Sequence, residues 1–240
     1  MESPLGQFTV KTLIPLQWGA IDLSITNSSL FMMLTVLSIF LFLWLGVRRW
    51  SLVPGAMQSS VEMAYSFIAT MLKENVGTKG KEYFPFVFSI FLFVLFGNFL
   101  GMMPYAFTFT SQLVITFGLA MLVFFVVTAI GFWKHGWRFL KFFLPQGAPL
   151  IIVPLIIPIE VISYLSRPVS LSLRLFINMM AGHTMLKVFA IFTMTLGIYG
   201  ISTILLNSLL IVFEILIAFL QAYVFSVLTC LYLSDAIHMH

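Results

Sequence analysis

The chain has 240 residues, of which 61% are hydrophobic and only 8% are charged. That charged share is about a third of the usual value, which excludes an ordinary soluble protein. The formal net charge of +4 does not indicate nucleic-acid binding, because the 12 Lys and Arg residues cluster at the edges of apolar segments and form no basic patch with interleaved aromatic residues. The single cysteine, Cys230, cannot form an internal disulfide.

Long segments without charge predict membrane helices. Residues 83–133 and 188–213 contain no Asp, Glu, Lys or Arg, and a helix of about 20 apolar residues spans a bilayer core. These segments are apolar on every side, which favours helices over the alternating pattern of a membrane β-barrel. We therefore expect one all-α, polytopic membrane domain with about five or six membrane helices and one amphipathic surface helix.

The first half of the chain predicts three spans. Residues 1–29 carry neither a signal peptide nor a transit peptide pattern, and we expect them to lie outside the membrane. The predicted spans cover residues 30–47, 83–103 and 112–133. Residues 54–73 place apolar side chains on one side and polar side chains on the other, which predicts a helix on the membrane surface.

The second half predicts two long helices after an interrupted segment. Residues 145–166 are apolar but rich in proline, so we expect a broken or re-entrant segment there. Residues 168–197 and 201–233 predict a helical hairpin that contains nearly every ionisable group at membrane depth.

The positions of the cations predict the orientation. Eight of the 12 lie between the first and second spans or just after the third, whereas residues 104–111 contain none. The positive-inside rule then places residues 48–82 and 134–141 on the inner side and the N-terminus on the outer side. We expect the C-terminus on the inner side.

The first helix of the hairpin carries a polar stripe. At 100° per residue one helical face holds Ser163, Arg167, Ser170, Arg174 and Asn178. An arginine at the centre of a membrane helix costs about 3 kcal/mol or more, so Arg174 requires water, a partner or both. Arg167 lies nearer the inner boundary, where a structural ion pair or a snorkelling side chain would also explain it.

The second helix of the hairpin carries another stripe. Asn207, Glu214 and Gln221 recur every seven residues and so share one face. Apolar neighbours disfavour the ionised form of Glu214, and histidine, here His183, changes charge near neutral pH. A satisfied buried histidine and a helix-to-helix hydrogen bond are the simpler interpretations of His183 and Gln221. Together with Arg174, however, the set indicates proton movement.

Two segments carry a specific resemblance. Residues 170–183, SLSLRLFINMMAGH, and residues 214–225, EILIAFLQAYVF, resemble subunit a of F-type ATP synthases. The similarity extends to Thr26–Leu30, Gly97–Tyr105, Thr110–Gln112 and Tyr232–Ala236. Many bacterial members carry a carboxylate at the position of His183 and a histidine at that of Glu214, so the exchanged pair resembles the mitochondrial and related bacterial type.

The resemblance implies that Arg174 is the essential arginine of the family and that Asn178, His183, Glu214 and Gln221 lie on its channel positions. It also implies that the last two helices form a steeply tilted hairpin against a ring of c subunits. The expected membrane is the mitochondrial inner membrane or a bacterial inner membrane. Subunit b of the peripheral stalk and other Fo subunits are further expected partners.

The expected function is that of a stator with two aqueous half-channels. We assign His183, Glu214 and Gln221 to the outer one, and Asn178 with Glu160 to the inner one. The sequence has no phosphate-binding loop and no metal-ligand motif, so we expect no cofactor and no catalysis by this chain itself. The competing class is a secondary transporter, which usually contains two internal repeats; none is visible in this sequence.

Overall fold

The computed structural model describes residues 8–15, 17–18, 21–22, 24–48, 51–103, 106–137, 139, 153–195 and 200–238. In these ranges the α-helices are α1 (Asn27–Arg48), α2 (Ala56–Val76), α3 (Phe84–Gly101), α4 (Leu113–His135), α5 (Val153–Thr195) and α6 (Gly200–Ile237). Short 3-10 helices cover Thr78–Tyr83 and Phe109–Ser111.

Five helical segments of the described chain are long and apolar enough to cross a membrane. They comprise α1, α4, α5 and α6 almost in full and α3 with the 3-10 helix before it. The amphipathic α2 is not among them. The predicted all-α, polytopic membrane fold is therefore confirmed.

The segment before α1 adds a small β-structure that the sequence did not predict. Strand β1 (Thr12–Ile14) pairs antiparallel with β4 (Ile25–Thr26), and β2 (Gln17–Trp18) pairs with β3 (Ile21–Asp22). The amide of Asn27 at the start of α1 donates to the carbonyl of Thr9 at 3.2 Å. These short strands do not change the all-α class of the fold.

Helix α2 contacts protein with much of the face that was predicted to lie on lipid. Its second half buries Ile68, Met71, Leu72 and Val76 in a core shared with α3 and α6. The ring of Phe67 lies 5.8 Å from Phe91 and 5.7 Å from Tyr223, between ring centroids. Burial among protein side chains removes this apolar surface from water as effectively as lipid would.

Residues 153–166 belong to the continuous helix α5, where the sequence had predicted a broken or re-entrant segment. Pro154 lies in the first turn, where a backbone N–H has no helical acceptor in any case. Pro158 and Pro168 lie inside the helix, which neighbouring helices make tolerable in membrane proteins. The first part of the predicted segment, residues 145–152, lies outside the described residues.

The termini of the described chain lie at opposite ends of the bundle. Gln112, at the start of α4, donates from its side-chain amide to the carbonyl of Phe8 at 2.7 Å. His135, at the end of α4, lies with Nε2 3.2 Å from the carbonyl of Ile237, the last residue of α6. The N-terminal segment therefore shares an end with the α3–α4 connection, and the end of α6 shares the other with the basic last turn of α4.

Candidate functional site

Helices α5 and α6 form an antiparallel hairpin that is joined by four polar pairs. In order from the connection between the helices they are Thr193 with Thr203 at 2.9 Å, His183 with Glu214 at 2.5 Å, Asn178 with Gln221 at 2.8 Å, and Arg167 with Asp235 at 2.9 Å. Polar groups in an apolar environment are costly unless they find partners. The pairs therefore fix the register of the hairpin and bring together residues that sequence analysis placed on separate helices.

The pair formed by His183 and Glu214 is the most enclosed site for a proton. Their side chains are 13% and 5% exposed, and Nδ1 of the imidazole contacts Oε1 of the carboxyl group. Gly182 makes room for this contact, since a Cβ atom there would lie 2.8 Å from the same Oε1. The contact is an ion pair when the imidazole is protonated, and the two atoms lie close enough to exchange a proton.

The second ring nitrogen of His183 faces the end of α3. Nε2 lies 3.0 Å from the carbonyl oxygen of Gly101 and 2.8 Å from Oγ1 of Thr108. Thr108 in turn donates its hydroxyl proton to the same carbonyl at 2.9 Å. The carbonyls in the last turn of a helix lack partners within the helix, and these two side chains satisfy the one at Gly101.

The amides of Asn178 and Gln221 meet about one and a half to two turns further along the hairpin. Nδ2 of Asn178 donates to Oε1 of Gln221, whose side chain is buried. Between Glu214 and Gln221, the carbonyl of Ala218 accepts a hydrogen bond from Nδ2 of Asn98 on α3 at 3.2 Å. Asn98 is fully buried, so α3 supplies a polar group at the back of the hairpin.

Arg174 is not a member of these pairs. Its side chain is exposed on the surface of the hairpin. Its neighbours on this face include the exposed apolar side chains of Leu173 and Ile177. Among the described residues, no carboxylate lies within ion-pair distance of its guanidinium. A cation in apolar surroundings requires a counter-charge or water. The described residues of this chain do not supply a counter-charge to Arg174.

Arg167 forms an ion pair, which was one of the two explanations that the sequence suggested for it. Its guanidinium pairs with Asp235 and lies 5.2 Å and 5.1 Å from the ring centroids of Tyr164 and Tyr232. Aromatic faces attract a guanidinium, so Arg167 has three favourable contacts: the carboxylate and the two rings. The pair closes the hairpin at the end where α6 finishes.

The other predicted positions are more dispersed. Glu160 is half-buried in the first part of α5, about 21 Å along the helix from Arg174, and the structure does not bring it to either amide. Asn207 is half-buried on α6, one stripe position before Glu214. The direct bond between Asn178 and Gln221 makes neighbours of two residues that we assigned to different half-channels.

Sequence reasoning gave no role to Thr108, Asn98 or Asp235. A polar residue inside an apolar span is a signal that could have found Asn98. Thr108 carries no such signal, because it lies in a polar connection between two spans.

Comparison with known proteins identifies the family. The family described as ATP synthase A chain matches residues 29–234. A protein of Parvibaculum lavamentivorans named ATP synthase subunit a is 54% identical, and the match covers 98% of this chain and 93% of the relative. A protein of the same name from Rhodospirillum rubrum is 52% identical over the whole of both chains. One from Pelagibacter ubique is 54% identical over 99% of this chain and 98% of the relative.

These matches agree with the resemblance found in the hairpin motifs and extend it over nearly the whole chain. With its five apolar segments of membrane-spanning length, the chain is a multi-pass membrane protein that belongs to the ATP synthase A chain family.

Proposed function

We propose that this chain is the non-catalytic, proton-conducting stator subunit of an ATP synthase Fo sector. It passes protons through two half-channels to and from the carboxylates of a rotating ring of c subunits. The observation that carries the proposal is the position of Arg174, an exposed cation on an apolar face beside the pairs of His183 with Glu214 and Asn178 with Gln221, whose α6 members are buried. Membership of the family supports it.

The apolar face around Arg174 suits a helical partner in the membrane. A groove of about 620 Å³ runs along α5 beyond Arg174 and is lined by apolar side chains such as Ile177, Ala181 and Met185. A carboxyl group on the partner is neutral while it faces lipid, because an isolated charge there is costly. When it reaches Arg174, the guanidinium stabilises its ionised form, and the proton leaves.

The outer half-channel that reaches this interface is lined by His183, Glu214 and Gln221. His183 is bonded to the end of α3 that lies opposite the basic segments, and the positive-inside rule assigns that end to the outer side. The distance along α5 from His183 to Arg174 is about 13 Å, less than half of a bilayer core. Such a path delivers a proton to the ring without crossing the membrane.

The inner half-channel starts on the other side of Arg174. Glu160 lies there, towards the basic end, where Arg167 and Asp235 close the hairpin. Asn178, which we also assign to the inner half-channel, lies one turn from Arg174 on the side of His183. Because Asn178 is bonded to Gln221, the two half-channels come close together there, and the positive charge of Arg174 keeps a proton from passing directly between them. Protons then travel with the ring.

The energy for ATP synthesis comes from protons that can cross the membrane only by travelling with the ring. Each proton that moves with the membrane potential contributes about 2.3 kcal/mol per 100 mV. The nucleotide chemistry belongs to other subunits of the complex.

The exposed apolar side chains of α1, such as Met33 and Phe40, suit lipid or the membrane helix of subunit b. The bacterial relatives favour a bacterial inner membrane. The positive-inside rule is the basis for the N-terminus outside and the C-terminus inside.

The test is to replace Arg174 in the assembled complex and reconstitute it in vesicles. Arg174→Ala should abolish ATP-driven acidification while passive proton flux persists or rises, because the barrier between the half-channels is gone. Arg174→Lys should also lose coupling, since a compact ammonium lacks the planar fork of the guanidinium. Arg48→Ala is the matched control, because that exposed arginine lies at the end of α1 over Trp44. Coupled pumping by Arg174→Ala would contradict the proposal.

A further inference from the structure

The hydrogen bonds at Nε2 of His183 determine which nitrogen of the imidazole can exchange a proton. The carbonyl oxygen of Gly101 can only accept a hydrogen bond, and Thr108 already donates its hydroxyl proton to that oxygen. If Nε2 carried no proton, its lone pair would face the carbonyl oxygen at 3.0 Å. A proton on Nε2 removes this repulsion and can be shared between the carbonyl and Oγ1 of Thr108.

We propose that Gly101 and Thr108 hold a proton permanently on Nε2 of His183, so that the pair exchanges protons only through Nδ1 and Oε1 of Glu214. This inference rests on the proposed proton path and deepens it. In the neutral imidazole Nδ1 then accepts from a protonated Glu214, and in the imidazolium it donates to the carboxylate. One proton moves between the same two atoms, and the chain makes no covalent change.

A histidine with one nitrogen held in this way cannot pass a proton onward. It receives a proton from Glu214 and returns it to Glu214, so Glu214 is the conducting group and His183 is a side acceptor that stabilises its ionised form. The C-terminal end of α3 assists, because the negative end of a helix dipole favours an imidazolium. Thr108 is thus a positioning residue for the proton path.

The geometry at the end of α3 requires glycine. A Cβ atom on residue 101 would lie 2.7 Å from both Oγ1 and Cγ2 of Thr108. Only a glycine therefore allows the hydroxyl to approach the carbonyl while His183 does so too. Thr108 is 3% exposed, so water does not compete freely for these hydrogen bonds.

The direct test measures the protonation of His183 in the assembled complex. Solid-state NMR on vesicles that contain ¹⁵N-histidine distinguishes protonated from bare ring nitrogens, and a His183→Gln complex identifies the signals of this residue. We expect a protonated Nε2 at every pH at which the complex is active, with changes confined to Nδ1. A neutral His183 with a proton on Nδ1 and a bare Nε2 would overturn the inference, whether or not any variant assembles.

The functional test compares passive proton conduction in vesicles stripped of the ATP-hydrolysing sector. Thr108→Val should conduct about three- to tenfold more slowly, as expected for the loss of one hydrogen bond, and Thr108→Ser should recover most of the rate. Thr116→Val is the matched control, since that buried hydroxyl bonds only to carbonyls at the start of its own helix. Equal rates for Thr108→Val and Thr108→Ser would count against the positioning role.

A comparison of the pair itself separates the side acceptor from a serial relay. Glu214→Gln should abolish conduction, whereas His183→Gln should retain a measurable fraction of it. Equal and complete loss in both variants would mean that protons pass through the histidine, which contradicts this inference alone. If the unaltered complex conducted no protons at all, the proposed function would fail first.

Discussion

The guanidinium of Arg167 lies 2.9 Å from the carboxylate of Asp235, across the end of the hairpin at which α6 finishes. Arg174 stands two turns away on the same helix, and no described carboxylate pairs with it. Both arginines belong to one polar stripe in the sequence. The structure thus separates an arginine that forms an ion pair within the chain from one that forms none with the described residues, as the proposed role of Arg174 requires.

The ion pair of Arg167 and Asp235 should contribute modestly to stability. We expect a double-mutant cycle with Arg167→Gln and Asp235→Asn to give a coupling free energy of about 1 kcal/mol or less, because Asp235 is 46% exposed and solvent screens the pair. The measurement is the free energy of unfolding in detergent. Added salt should reduce the coupling. A coupling that exceeded this range several-fold would show that the pair is desolvated in the assembled membrane protein.

Gly182→Ala should disable the proton pair by steric displacement. The new Cβ atom would lie within 3.2 Å of Glu214 Cδ and closer still to Oε1, so the carboxyl group must move away from His183. Gly118→Ala on α4 is the matched control, since a Cβ atom there meets nothing within 4 Å. We expect both complexes to assemble and only Gly182→Ala to show slower ATP-driven proton pumping in vesicles, because Glu214 then carries protons without its side acceptor. Normal pumping by Gly182→Ala would rule out the need for this contact.

Glu214→Gln should stop coupled proton transport without preventing assembly, because the amide keeps the shape of the carboxyl group but cannot release a proton. ATP-driven acidification and proton-driven ATP synthesis both measure the effect. Glu62→Gln serves as the control, since that carboxylate accepts a hydrogen bond from Gln58 on α2 and lies away from the hairpin. Unchanged proton flux in Glu214→Gln would remove this residue from the path.

Cysteine labelling should establish the orientation. Lys11 and Lys79 are exposed and lie at opposite ends of the bundle, and the natural Cys230 is fully buried and should stay silent. We expect Lys11→Cys to react with a membrane-impermeant reagent from the outer side and Lys79→Cys from the inner side. Gln58 is a poor site for this test because its side chain is buried and bonded to Ser51 and Glu62. Reversed labelling would invert the assignment of the two half-channels.

Local sequence properties were sufficient to predict the spans and the polar stripes of the hairpin. Charge-free length decides whether a helix can cross a membrane, and a seven-residue spacing places Glu214 and Gln221 on one face whatever surrounds them. The structure brings both residues to partners on α5. Membrane depth and helical periodicity are thus largely properties of the sequence itself.

The remaining contacts depend on how distant segments meet. Thr108 and His183 are 75 residues apart in the chain, and only the return of the α3–α4 connection over the end of α3 brings them together. The continuity of α5 through Pro158 and Pro168 likewise depends on neighbouring helices, because proline weakens an isolated helix. Neither relationship leaves a periodic signal in the sequence.

The attachment of both hairpin helices to α3 determines how the subunit bears a sideways force. His183 of α5 is bonded to Gly101, and the backbone of α6 at Ala218 is bonded to Asn98, so α3 braces both helices from behind. In the proposed function a turning ring presses on the exposed face, and the subunit must resist that force if the motion is to become torque. Densely packed interiors yield little under strain. Through α3 the subunit can therefore act as a rigid support for the ring, in addition to its proposed role in proton transport.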